Sequence, residues 1–103
     1  MKNPVGPVFR IGDEVDKIIS ALEDDNPDTE IEVIDRGAYV RVQAEDKLVL
    51  TEPTLQDHLG PDYRIRSLEI VMSSFSGRVS TESDSIIWQT AESAKAGATK
   101  GSN

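Results

Sequence analysis

Apolar positions recur at two different periods along this 103-residue chain, and the switches between them outline its elements. Val5 to Ile11 reads as a short extended segment, because Gly6 and Pro7 exclude a helix. Val15, Ile18, Ile19 and Leu22 follow the i, i+3, i+4, i+7 spacing of one helix face and predict a helix over 13–24. Asp13 is its expected N-cap, and Asn26-Pro27 ends it. Alternation then takes over. Ile31 and Val33 oppose Glu30, Glu32 and Ile34, Arg36-Gly37 turns, and Val40 and Val42 oppose Tyr39, Arg41 and Gln43, predicting a β-hairpin. Lys47 to Leu50 is a further strand. Thr51, Pro53, Leu55, Leu59 and Gly60 mark a short second helix with its cap and stop.

Leu68, Ile70 and Met72 alternate with Ser67, Glu69 and Val71 and read as an extended stretch. Ser73-Ser74-Phe75-Ser76-Gly77 interrupts it as a loop. Residues 78–80 and 85–89 form a final hairpin around Glu82-Ser83-Asp84. From residue 91 no large apolar residue remains, so 1–90 is expected to be the domain and 91–103 a disordered tail. The order β-α-β-β-β-α-β-β-β predicts a small single α+β domain with mostly antiparallel strands and two main helices.

The absence of cysteine removes disulfides, thiolate zinc, iron–sulfur clusters and a cysteine nucleophile. A single histidine argues against an imidazole metal site, so no metal is expected. No apolar run reaches the roughly 20 residues of a membrane span. The N-terminus lacks the apolar core of a secretory signal, and cytoplasmic residence is the expectation.

Charge redraws the picture. The chain carries −8, and residues 13–35 hold ten acids against one base, a local net of −9. Nucleic acid and anionic membranes are therefore disfavoured as partners on electrostatic grounds. A basic protein partner would be steered to 13–35. Glu23, Asp24 and Asp25 oppose the helix dipole, which suits either a docking role or a solvated helix end. Asp24, Asp25 and Asp28 lack the EF-hand pattern. His58 reads as a surface helix residue rather than a triad member. Phe75, set among serines, is either a core plug, which the residues alone favour, or an exposed anchor for a partner.

Four stretches then resemble one family, the small effector (coupling or regulatory) proteins of bacterial soluble diiron multicomponent monooxygenases. They are Asn3 to Asp13, Ile31 to Val42, Leu50 to Gly60 and Leu68 to Gly77, in order and in register across 3–89. The short N-terminus is similar to that of the toluene and alkene monooxygenase group. The resemblance implies a cofactor-free subunit that binds the diiron hydroxylase and couples NADH and O2 consumption to hydrocarbon oxidation by gating its active site. Functional interplay with a ferredoxin and an NADH reductase follows from the same resemblance. It places hydroxylase contacts at Asn3, Pro4, Val5, Gly6, Arg36, Tyr39, Val71, Ser73, Ser74, Phe75 and Gly77. Val71 stands where the family commonly has Asn. Phe75 stays open between core and interface. Asn3 to Phe9 is either a segment ordered by the hydroxylase or a flexible terminus leading into an edge strand. Arg36 and Tyr39 either contact the partner or set a turn and pack across strands. The competing function is a standalone acidic interaction domain that regulates an unrelated basic partner.

Overall fold

The computed structural model describes residues 2–91, and residues 92–103 of the expected tail lie outside that range. Seven strands and three helices follow one another: β1 (Pro4–Arg10), α1 (Val15–Asp25), β2 (Glu32–Asp35), β3 (Tyr39–Glu45), β4 (Lys47–Thr51), α2 (Glu52–Leu59), α3 (Ile65–Val71), β5 (Met72–Ser76), β6 (Arg78–Thr81) and β7 (Ser85–Gln89). The strands form two antiparallel sheets, β2-β3-β1-β5 and β4-β7-β6. The α+β class stands.

The core fills the space between these layers. Phe9, Ile18, Leu22, Leu48, Leu50, Leu55, Leu68, Ile86 and Trp88 are fully buried. Each such side chain contributes about 1.5–3 kcal/mol when removed from water. The apolar stripe of α1 turns inward as its spacing dictates, with Val15, Ile18 and Leu22 buried beside Ala21 and Ile19 packed at the margin. Val40, Val42 and Ala44 do the same from β3.

Four expectations are corrected. Leu68 to Met72 is largely helix, not strand, and brings the helix count to three. Alternation would have buried Ile70, which is 77% exposed, whereas Ile65 and Leu68 sit one helical turn apart and both enter the core. The segment carries both periods, and the joint burial of Ile65 and Leu68 goes with the helical one. The interrupting loop at 73–77 is a strand over Met72–Ser76, because its backbone pairs with β1. The pairing steps from Val8↔Ser74 to Phe9↔Met72 and leaves Ser73 as a bulge, its hydroxyl donating to the Val8 carbonyl at 3.2 Å. Glu14, not Asp13, caps α1, and no side chain closes that end. Finally, β1 is an interior strand between β3 and β5 rather than an edge.

The acidic end of α1 has a structural task. The Asp25 carboxylate accepts from the Thr51 amide at 2.7 Å, the Thr51 hydroxyl at 3.1 Å and the Thr54 hydroxyl at 2.7 Å. It thereby closes the N-terminus of α2, where a negative charge is favoured by the helix dipole. Beside it, the Asn26 amide donates to the Val49 carbonyl at 2.7 Å and accepts from the Val49 amide at 3.1 Å. That side chain satisfies the free edge of β4 as a neighbouring strand would. Replacing Asp25 by Ala is expected to destabilise the domain by about 1–3 kcal/mol, because three donors lose their acceptor. Equilibrium denaturation measures this, and an unchanged midpoint would remove Asp25 from the fold's supports.

Candidate functional site

Asp24 is likewise engaged within the fold, 2.6 Å from His58 Nε2. This contact links α1 to α2 and occupies the ring nitrogen a nucleophile would need. Glu14 accepts from the Tyr63 hydroxyl at 2.9 Å. Burial, then that hydrogen bond and the adjacent charge, push the Tyr63 phenol well above its ordinary range. Among the described residues no cluster of His, Asp and Glu is arranged to hold a metal ion. Among the described residues no helix is long and apolar enough to cross a membrane either. The acids of 13–35 thus divide, with Asp24, Asp25 and Glu14 tied into the fold and Glu23 and Asp28 left exposed.

The surface that stands out lies at one end of the four-stranded sheet. The Ile11 amide donates to the Ala38 carbonyl at 2.9 Å, which brings the end of β1 against the β2–β3 turn. Arg10 pairs with Tyr39 across the strands, so their side chains share a face. From the other side, the end of α3 meets Ile11. Ile11 and Ile70, 57% and 77% exposed, line one shallow cleft of about 370 Å³ with Arg10, Gly12, Asp13, Glu14, Val15 and Val71. Tyr39, 47% exposed, stands next to it, and Arg36 lies in the adjoining turn. Large exposed apolar side chains gathered with arginine and tyrosine are the composition of a protein-binding surface.

The residues named from the sequence divide around this surface. Arg36, Tyr39, Val71 and Ser73 come together at this end of the sheet. Ser74 and Phe75 continue along the edge strand β5. Phe75 is 43% exposed, so the core-plug reading does not hold. Asn3 and Pro4 are exposed at the far end of β1, where the Asn3 amide donates to Glu45 at 2.9 Å. Val5 and Gly6 are buried and offer a partner no side chain. Gly77 serves the fold: with φ at +88°, a Cβ there would sit 2.6 Å from Val5 Cγ1. Sequence reasoning missed Arg10, Ile11 and Ile70 as surface groups. Arg10 and Ile11 were inside the motif already singled out, while alternation had assigned Ile70 to an inner face.

An exposed apolar and arginine-rich sheet end, in a domain whose single histidine is engaged with Asp24 between two helices, has the composition of a docking surface. The chain belongs to the MmoB/DmpM family, whose model matches residues 3–89. It is 40% identical over 87 residues to the effector subunit of the alkene monooxygenase system of Xanthobacter autotrophicus (strain ATCC BAA-1158 / Py2), covering 84% of this chain and 86% of that one. A chain in a structure of a phenol hydroxylase–regulatory protein complex is 31% identical, with a TM-score of 0.72 over 84% of this chain and 97% of its own. The soluble methane monooxygenase regulatory protein B shares the fold at 22% identity, with a TM-score of 0.66 over 85% of this chain and 65% of its own.

Proposed function

We propose that this protein is the effector subunit of a multicomponent monooxygenase, binding the diiron hydroxylase component and coupling NADH and O2 consumption to hydrocarbon oxidation. The observation that carries this reading is the match to effector and regulatory subunits over nearly the whole described domain. The exposed sheet end supplies a surface for the contact. It is formed by Arg36, Tyr39, Val71, Ser73, Ser74 and Phe75, extended by Arg10, Ile11 and Ile70. Asn3 and Pro4 belong to a separate contact at the far end of β1. The same reading includes a cytoplasmic location, a ferredoxin and an NADH reductase as the other components.

The domain acts by binding energy alone. It changes the hydroxylase only by binding one of its conformations more tightly than another, and that difference in affinity sets the shift in population. A coupling free energy of about 1–3 kcal/mol corresponds to a shift of about 5–150-fold.

Adding this protein at stoichiometric amounts to its hydroxylase, ferredoxin and reductase is expected to raise product formed per NADH consumed. No change in either turnover or coupling would overturn the reading.

A further inference from the structure

On this anionic molecule the outer face of the four-stranded sheet is an island of positive charge. Antiparallel partners share a face, so Val8, Arg41, Ile34 and Ser74 form one cross-strand row, and Arg10 and Tyr39 form the next. Arg36 sits in the turn beside them. Arg10, Arg36 and Arg41 are all exposed, and none is in an ion pair among the described residues. The polar contact of Arg41 is a 3.4 Å hydrogen bond from Nη1 to the Ser76 hydroxyl. The nearby carboxylates are directed elsewhere: Asp35 pairs with Val40 on the other face and accepts from the Gly37 amide, and Glu14 accepts from Tyr63. Glu32 lies a row further on, held 2.6 Å from Gln43. Asp13 remains exposed at the cleft below Arg10.

We propose that this arginine–tyrosine face docks an acidic, helical surface of the hydroxylase, with the apolar side chains between the carboxylates seated on Tyr39, Val8 and Ile34. The inference rests on the effector reading and names the chemistry of its partner. Charge complementarity carries it. Three unpaired guanidiniums on a protein of net charge −8 lack the carboxylates that this chain has in excess. Arg10 and Arg41 are diagonal cross-strand neighbours, about 7–8 Å apart. Carboxylates at i, i+4 on one helix face, about 5–6 Å apart, fall within reach of both side chains. Arginine and tyrosine dominate binding energy when a partner desolvates them. The acidic end of α1 and the loop after it, residues 23–28, then lie outside this contact, and their field orients the encounter by repelling the wrong face.

The test measures the affinity of the full chain for the purified hydroxylase across a range of salt, with melting temperature recorded for every variant. Arg10→Glu, Arg36→Glu and Arg41→Glu are expected to weaken binding by about tenfold or more each, and the Gln variants by less. Glu23→Lys and Asp28→Lys are expected to stay within about twofold, since Glu23 lies in the last turns of α1 and Asp28 in the loop after it, and neither stands in the cross-strand rows of this face. Arginine reversals that leave affinity within about twofold would overturn the proposal. So would losses confined to variants that also melt early, or equal losses from Glu23→Lys and Asp28→Lys, which point to a basic partner on the acidic stretch. Failure of the wild-type protein to raise product per NADH overturns the effector reading instead, and is read in a separate assay.

Discussion

Gly6→Ala is expected to abolish or severely reduce folding. Gly6 lies in the interior strand β1 with φ at +144°, and a Cβ there would overlap the Val42 carbonyl oxygen and come within 3.0 Å of Leu48 Cδ1. The obstacle is backbone on one side and a fully buried leucine on the other, so neither can move without opening the sheet. The unfavourable backbone conformation adds about 1–3 kcal/mol to the steric cost. Together these reach on the order of 3–5 kcal/mol, a large part of the ~5–15 kcal/mol that holds a domain folded. In a domain of this size the melting temperature falls by more than about 12 °C. Gly12→Ala is the control. Nothing lies within 4 Å of its added methyl group, and its melting temperature should be unchanged. Similar melting of the two variants would show that the approach of β1 to Val42 is looser than the structure has it.

Ser74→Trp is expected to have the opposite profile, with an intact fold and impaired function. Ser74 is exposed on the edge strand β5, opposite Val8 on the outer face. Tryptophan suits an exposed strand position, so the melting temperature should move by no more than about 2 °C. A bound hydroxylase, in contrast, meets about eight extra heavy atoms where shape complementarity matches that of a protein interior. Overpacking of that kind costs about 1–3 kcal/mol, or about 5–150-fold in affinity. Product per NADH should fall in step at limiting effector and recover in part at excess. Ser73→Trp tests the bulge beside it. A collapse of melting with either variant would make this strand a support of the fold rather than a contact.

Much of the site was legible one residue at a time but not as a surface. The family resemblance names Arg36 and Tyr39, and Ser73 and Ser74 also stand where an alternating pattern breaks. Their assembly depends on which strands are neighbours. Only the pairing of β1 with both β3 and β5 sets Arg10 beside Tyr39 and Val8 between Arg41 and Ser74. The aromatic at Phe75 illustrates the same limit. Its neighbours in sequence favour a buried plug over an exposed anchor, and its place on an edge strand decided for exposure. The acids at the end of α1 misled for a related reason. Carboxylates that disfavour their own helix end were available to cap a second helix, which no local pattern reveals.

The sequence by itself determined the α+β class, the α1 stripe, the hairpins, the lack of thiol chemistry and the resemblance that led to the family. These follow from local periodicity, composition and motif order, which need no knowledge of distant partners. Tertiary structure alone decided that Leu68 to Val71 winds into a helix, that β1 runs through the sheet's interior, and that Arg10, Arg36 and Arg41 share an unpaired face. The physical reason is common to all three. Where a segment can hide comparable apolar area at either period, and where a charge has several possible partners, the choice belongs to the contacts made across the fold, and those contacts join residues as distant in sequence as Gly6 and Ser76.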